Sequence, residues 1–374
     1  MDYSLKRLIQ LTLALKLALL ALIFLVSHLL PFNLQQFAVN FHYPMGEVPD
    51  WTSPFKTWDA QHYLFLADQG YAPGAASDAF YPLLPFLIHW TKLLFLDNAL
   101  FTGLYLSHFF TLLCVVYLYL LVKKTHDEKT AFYSCLFLLA FPTGFYLGLI
   151  YSESLFLLLT LAFFYYSREG KVLPAALCAM LLPLSRPTGI LVAVPALMDL
   201  WMGRDFKSPL FLKKLSLLPA FVLGFAANLV VMKIYAGGYF AYSAAQSVFK
   251  SHYSIAHLFH PLGWFIENFI DLHYTWVGYQ TGALNRIFFV AVVAALGAAW
   301  RHLDKGLFAY ALVLGLVPAL LGDLMSYMRF AVVLFPLFIF AAIKLKDRPE
   351  YFLLAALPIQ AFLLAAHALN NWVA

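Results

Sequence analysis

The chain has 374 residues, of which 63% are hydrophobic, 18% are aromatic and only 11% are charged. A soluble protein of this size carries about a quarter charged residues, so the composition excludes an ordinary soluble enzyme and indicates a polytopic membrane protein. The net charge of +5 is small and dispersed along the chain, which excludes a surface built to bind nucleic acid.

The first predicted element is an apolar run, residues 8–30, which follows Lys6 and Arg7 and is long enough to span a bilayer. No small-residue cleavage site follows this run, so we expect a retained span and not a cleaved signal peptide. Further apolar runs are predicted to span the membrane at 99–122, 130–147, 150–167, 172–185, 187–203, 213–235, 284–300, 306–322, 329–343 and 351–370.

Segment 80–96, "FYPLLPFLIHWTKLLFL", decides the topology because it is apolar but short and contains two prolines. If it does not cross, the N-terminus and the loops that carry most of the 24 lysine and arginine residues lie in the cytoplasm. If it crosses, the downstream basic loops move outside, against the positive-inside rule. The sequence therefore predicts an all-α polytopic membrane protein with eleven spans, one domain over 1–374 and an interfacial helix at 80–96.

This topology gathers the unusual polar residues on the outer side, which includes a first loop at 31–98 and a second long loop at 236–283. The stretch "TWDAQHYLFLADQGY" in the first loop is predicted to be a helix that Thr57 caps and Gly70 ends. Asp59 falls in its first turn, where an acid also simply complements the helix dipole. Asp68 lies in the last turn and opposes the dipole. Their separation of about 13 Å along a helix excludes a glycosidase-like carboxylate pair.

Three more charged residues lie at predicted outer helix starts. Glu153 of "YSES" is a carboxylate at membrane depth, which indicates either a functional site or a structural pair with a neighbouring arginine. Arg186 of "SRPTG" supplies that possible partner, and it also fits an anion site. Arg329 of "SYMRF" is interpreted either as a second phosphate ligand or as a contact to lipid headgroups.

The second long loop contains His252, His257, His260 and His273. Their spacing matches no standard zinc pattern, and "HLFHPLGWFIENFI" is more typical of an interfacial segment with an aromatic belt. The three cysteines lie in apolar runs without metal-ligand spacing, and no G-x-G-x-x-G or P-loop motif is present. We therefore predict no metal and no nucleotide cofactor.

The outer face thus combines candidate general bases with candidate phosphate-binding arginines. A carboxylate deprotonates a hydroxyl, and positive charge stabilises a departing phosphate. This pairing suits transfer of a group from a lipid phosphate to an acceptor hydroxyl outside the membrane. A lipid-linked donor would also explain why no nucleotide-binding motif is found.

Several of these motifs resemble one family in order along the chain. "WDAQHYLFLADQGY…AFYPLLPFL", "FPTGFYLGLIYSESLF" and "SRPTGIL" are similar to the outer turns of PIG-V-type mannosyltransferases, over about residues 57–192, with a weaker echo at "MRFAVVLFPLF". The resemblance implies a GT-C fold with juxtamembrane helices in the first outer loop. It also implies inverting transfer of a mannosyl or similar hexosyl unit from polyprenyl or dolichyl phosphate. The acceptor would be a glycolipid, a glycan or a protein.

Carried over residue by residue, the resemblance gives Asp59 as the catalytic base. The residues expected to bind the donor phosphate or another part of the substrate are Arg186, Glu153, Arg329, Asp68, His62 and Tyr151. One departure is Arg-Pro-Thr-Gly where the eukaryotic enzymes tend to have Arg-Ser-Asn-Gly, which leaves acceptor specificity open. The expected location is the cell membrane of a prokaryote or the endoplasmic reticulum of a eukaryote.

Two alternative functions share some of these features. A lipid-linked glycan ligase would use the same outer-face chemistry with a pyrophosphate donor. A lipid or sugar transporter or flippase would instead show internal repeats and charges near the membrane midplane. Because the polar residues cluster at one face and no repeat is evident, the sequence favours an enzyme.

Overall fold

A computed structural model describes residues 3–202, 209–247, 256–270 and 282–373, and all regular secondary structure in these residues is helical. Apolar side chains from the first to the last described helix pack into one extensive core. The predicted all-α fold is therefore confirmed.

The N-terminal part comprises one long helix and the short helices of segment 31–98, the predicted first outer loop. They are α1 (Leu5–Leu29), α2 (Leu34–Val39), a 3-10 turn (Ser53–Phe55), α3 (Asp59–Gln69), a second 3-10 turn (Ala76–Ala79) and α4 (Leu83–Thr91), which ends in a third 3-10 turn (Lys92–Leu94). The segment predicted as interfacial is thus a short helix. Its Phe86, Trp90 and Leu93 are more than half exposed, so the segment presents an apolar face, and its interfacial position stays a prediction.

The central part is a bundle in which α7 packs against both α5 and α8, and α11 packs against α8. Its elements are α5 (Ala99–Lys123), α6 (Glu128–Ala140), a 3-10 segment (Gly144–Gly148), α7 (Glu153–Arg168), α8 (Val172–Ser185), a 3-10 segment (Pro187–Val192), α9 (Ala193–Met202), α10 (Pro209–Leu215) and α11 (Leu218–Tyr235). Every residue of α7 from Glu153 to Phe164 is buried, so the start of this helix lies inside the protein.

The C-terminal part returns to the bundle, where α18 packs against α6 and α19 packs against α1 and α6. Its elements are α12 (Ala241–Gln246), α13 (Ala256–Phe259), α14 (Pro261–Phe265), a π-helical turn (Ile266–Ile270), α15 (Gly282–Ala299), α16 (Lys305–Leu321), α17 (Tyr327–Phe330), a 3-10 turn (Ala331–Val333), α18 (Phe335–Leu345) and α19 (Pro349–Ala368).

Among the described residues, five helices are long and apolar enough to cross a membrane, and the bent pair Tyr327–Val333 and Phe335–Leu345 makes a sixth if it is one span. The chain is therefore an integral membrane protein, while the number of eleven spans stays a prediction. Several predicted runs are divided. Run 130–147 is helical only to Ala140 and continues as a 3-10 segment, because Pro142 and Gly144 disfavour a continuous helix.

Candidate active site

Asp59 begins α3, as the sequence predicts, but the cap differs. The N-cap is Trp58, whose φ of 57° and ψ of −124° are unusual for a residue with a side chain, and it makes no side-chain capping bond. Thr57, the predicted cap, instead places its hydroxyl 3.0 Å from His367 Nε2. Gly70 ends the helix with a φ of 77°, which confirms that prediction.

Glu153 begins α7 and is 1% exposed. A carboxylate buried to this degree needs compensating positive charge, because desolvation strongly disfavours an isolated ion. Two arginines supply that charge. Arg186 Nη1 lies 3.0 Å from Glu153 Oε1, and Arg329 Nε lies 3.2 Å from the same oxygen. The structure contains the ion pair of Glu153 with Arg186, which was one of the two alternatives that the sequence left open for Glu153.

Arg186 occupies the turn between α8 and the 3-10 segment that begins at Pro187. The turn is tight, since a Cβ at Gly189 would lie 2.1 Å from the carbonyl oxygen of Leu182. Only glycine fits this approach, which explains why the motif has glycine three residues after its arginine. The turn fixes the Arg186 backbone beside the start of α7.

Arg329 lies in α17 and joins the two carboxylates. Its Nη1 donates a 2.7 Å hydrogen bond to Asp59 Oδ2, while its Nε faces Glu153. The Arg329 side chain is 10% exposed and the Asp59 side chain is 19% exposed, so the Asp59 end of this group is the more open. We call Asp59, Glu153, Arg186 and Arg329 the charged cluster.

The charged cluster holds two acidic and two basic side chains, and its formal charges balance. The contacts of Glu153 with both arginines are ionic but lack hydrogen-bond geometry at Arg186 Nη1 and Arg329 Nε. These donors therefore keep hydrogen-bonding capacity that Glu153 does not use.

Aromatic rings surround the arginines. The Arg329 guanidinium carbon lies 5.3 Å from the ring centre of Tyr151 and 5.7 Å from that of Tyr146. The ring centre of Phe330 lies 4.9 Å from the guanidinium carbon of each arginine. Such rings attract a cation and exclude water, so the charges interact in a medium of low polarity. Tyr151, one of the predicted substrate residues, is therefore brought to the charged cluster.

His62 lies one turn after Asp59 on α3 and is 5% exposed. Its ring stacks between those of Phe41 and Phe80, at 4.3 and 4.6 Å, and its Nδ1 lies 2.9 Å from the Ser77 hydroxyl. Burial lowers the pKa of His62 to about 3. The imidazole is therefore neutral at physiological pH, and its predicted role in substrate binding stays a prediction.

Asp68 lies at the other end of α3, away from the charged cluster. Its carboxylate accepts a 2.6 Å hydrogen bond from Lys92 at the end of α4, and Lys92 also lies 3.2 Å from Asp97. This ion pair ties α3 to α4 and offsets the unfavourable position of an acid in a last helical turn. The predicted substrate role of Asp68 remains a prediction.

In the described ranges, no three His, Cys, Asp or Glu side chains come close enough together to hold a metal ion. Of the four loop histidines, His252 and His273 lie outside the described residues. His257 Nε2 lies 3.6 Å from Glu267, and its Nδ1 lies 3.2 Å from the Leu321 carbonyl.

Two residues of the site, His367 and Tyr146, were not predicted from the sequence. His367, near the end of α19, contacts Thr57 and lies 3.5 Å from the Tyr146 hydroxyl. Both it and Tyr146 are buried among aromatic rings. A lone histidine in an apolar helix has no sequence signal that separates it from a core residue.

The family model described as Mannosyltransferase (PIG-V) matches residues 5–281. This match covers most of the chain, so the chain belongs to the PIG-V mannosyltransferase family. Asp59, Glu153 and Arg186 lie within the matched segment, whereas Arg329 and His367 lie beyond it. No curated protein matches the chain by sequence.

Two crystal structures of the oligosaccharyltransferase of Archaeoglobus fulgidus align with the chain. One is tethered to an acceptor peptide containing the NVT sequon through a disulfide bond, and the other is a complex with Zn and sulfate. Both are 14% identical to the chain, with TM-scores of 0.47 and 0.48. The alignments cover 96% and 98% of this chain but 55% and 53% of the other, so the chain spans about half the length of that enzyme.

Proposed function

We propose that the protein is an inverting glycosyltransferase that moves a mannosyl or similar hexosyl unit from polyprenyl or dolichyl phosphate to an acceptor hydroxyl on the extracytoplasmic side. The observation that carries this proposal is the contact of Asp59 with Arg329 inside the charged cluster, in a member of the PIG-V family. The cluster places a carboxylate beside cations suited to phosphate, which is the pairing that this transfer requires.

The donor phosphate is the ligand to which the two arginines are suited. Guanidinium groups bind phosphate oxygens with two parallel hydrogen bonds, and Arg186 Nη1 and Arg329 Nε retain unused donor capacity. As the sugar–phosphate bond breaks, negative charge grows on the phosphate. Once both arginines contact the bound phosphate, they stabilise that charge without further movement during the reaction.

Asp59 acts as the general base in this proposal. In the free protein, its Oδ2 accepts a hydrogen bond from Arg329, so this oxygen is already engaged before the donor binds. A bound donor phosphate competes for Arg329 and weakens its hold on Asp59. Asp59 then takes the proton from the acceptor hydroxyl, whose oxygen attacks the anomeric carbon from the face opposite the phosphate.

The balanced charges explain why donor binding has this effect. In the free protein the two arginines are balanced by the two acids of the charged cluster. An entering phosphate therefore brings a negative charge that no remaining cation in the cluster compensates. The exchange is easiest at Arg329, because Glu153 remains paired with Arg186 when Arg329 turns toward the phosphate. The proposed reaction uses no metal and no cofactor.

The test uses the purified protein in lipid nanodiscs with radiolabelled polyprenyl-phosphate mannose and a panel of glycolipid acceptors. We expect labelled mannose to move to an acceptor with release of polyprenyl phosphate and inversion at the anomeric carbon. Transfer only from a polyprenyl-pyrophosphate glycan would replace the proposal with a glycan ligase. Lipid scrambling in liposomes without any transfer would instead identify a transporter.

A further inference from the structure

The backbone that carries Asp59 is fixed by the opposite end of the chain. Thr57 Oγ1 lies 3.0 Å from Nε2 of His367, near the end of α19, although 310 residues separate them. The Thr57 carbonyl accepts a 3.3 Å hydrogen bond from the Tyr151 hydroxyl. His367 is 1% exposed, so this contact has no competing water.

Between this anchor and Asp59 lies a single residue in an unfavourable conformation. Trp58 has a φ of 57°, which costs a bulky residue energy that the surrounding contacts must supply. Its indole ring packs edge-on against Trp372, with ring centres 4.7 Å apart. Thr57 and Trp58 are thus both held by side chains from distant parts of the chain.

The C-terminal tail is itself tied to the first outer loop. The Asn33 backbone N–H donates to the Leu369 carbonyl at 2.9 Å, and Asn33 Nδ2 donates to Asn371 Oδ1 at 2.9 Å. The end of α19 therefore cannot move far from the loop that carries Asp59. His367 and Trp372, which contact Thr57 and Trp58, therefore belong to one segment that is anchored to this loop.

We propose that His367 is a positioning residue for Asp59, acting through the hydroxyl of Thr57 and the strained backbone of Trp58. This inference rests on the proposed function of Asp59 as the base. Release of Thr57 lets Trp58 relax to a negative φ, and the peptide that leads into α3 then rotates. Because the Asp59 side chain follows directly, its carboxylate loses its alignment with the acceptor hydroxyl. A displacement of about 1 Å at a reacting group costs roughly 100-fold in rate.

The test pairs substitutions at both ends of the contact. In the full-length protein in nanodiscs, we expect His367→Ala and Thr57→Val each to lower kcat at least about tenfold while the donor KM stays within about twofold. Thr57→Ser and His367→Gln retain a hydrogen-bonding group and should recover most of the lost kcat. The control is Leu363→Ala, which removes a buried apolar side chain from the same helix.

Amide hydrogen exchange supplies a readout that does not need activity. We expect exchange at residues 57–60 to accelerate in His367→Ala and Thr57→Val but not in Leu363→Ala. Unchanged kcat and unchanged exchange in both variants would overturn the inference. Equal effects from Leu363→Ala would also overturn it, as a general loss of stability. If the wild-type protein transfers no sugar, the exchange data still decide whether His367 holds this turn, while the proposed function alone fails.

Discussion

Arg329 donates a 2.7 Å hydrogen bond to the carboxylate of Asp59 across 270 residues of sequence. The same guanidinium lies 3.2 Å from Glu153, so one cation is shared by two acids. In the proposed reaction, Arg329 is hydrogen-bonded to the base Asp59 before the donor binds, and it binds the donor phosphate afterwards. The donor should therefore bind before the acceptor hydroxyl is activated.

The shared role of Arg329 predicts that lysine cannot replace it. A lysine ammonium lacks the planar fork that reaches two partners at once, so Arg329→Lys should raise the donor KM at least about tenfold and also lower kcat. Steady-state kinetics with varied donor measures both effects. The matched control is Arg168→Lys, because Arg168 bridges Asp199 and Asp304 in the same way but lies outside the charged cluster. A similar rise in donor KM for both variants would contradict the assignment.

Arg186 is expected to act on the donor more than on the acceptor. Its removal in Arg186→Gln takes away a phosphate ligand while Arg329 still neutralises Glu153, so the donor KM should rise by a larger factor than the acceptor KM. Kinetics with each substrate varied in turn provide the measurement. An unchanged donor KM would count against a phosphate site at Arg186.

Glu153 is expected to contribute strongly to stability. Glu153→Gln leaves two largely buried arginines with one carboxylate, and removal of a buried ionic partner costs about 3–5 kcal/mol. The control Glu128→Gln removes the acid of an exposed pair with Lys123 and should change stability far less, because solvent screens exposed ion pairs. Chemical unfolding in detergent compares the two variants. Equal losses would show that Glu153 is not held as the structure indicates.

His62 predicts a specific dependence of stability on pH. Its pKa is lowered to about 3 by burial, against an ordinary value of about 6.5, so the unfolded chain binds a proton first as pH falls. The free energy of unfolding should therefore decrease below about pH 6.5, by about 1.4 kcal/mol per pH unit from this group. His62→Gln should weaken that acid dependence, as measured by unfolding between pH 7 and pH 5. The same slope in both proteins would contradict a buried neutral imidazole.

Local rules account for the parts of the site that the sequence predicts. Asp59 in a first helical turn, Gly70 at a helix end and Arg186 before a proline all depend on neighbouring residues, so their pattern is visible without the fold. The pairing of Glu153 with Arg186 was one of the two alternatives that the sequence offered for a carboxylate at membrane depth.

The long-range contacts of the site could not be predicted in this way. Arg329 reaches Asp59 only because the fold brings α17 close to the start of α3. The sequence alone did not decide whether Arg329 binds phosphate or contacts lipid headgroups. Thr57 was expected to cap α3, but the tertiary contact with His367 takes its hydroxyl. The eleven spans were counted from apolar runs, and prolines and glycines divide several of these runs into shorter helices.

Asp59→Asn tests the central claim most directly, because asparagine keeps the size of the side chain and its place beside Arg329 but cannot accept a proton. Transfer of mannose from polyprenyl-phosphate mannose should fall by about 100- to 10,000-fold, while expression and donor binding persist. Near-normal transfer by the purified Asp59→Asn protein would contradict the assignment of Asp59 as the base.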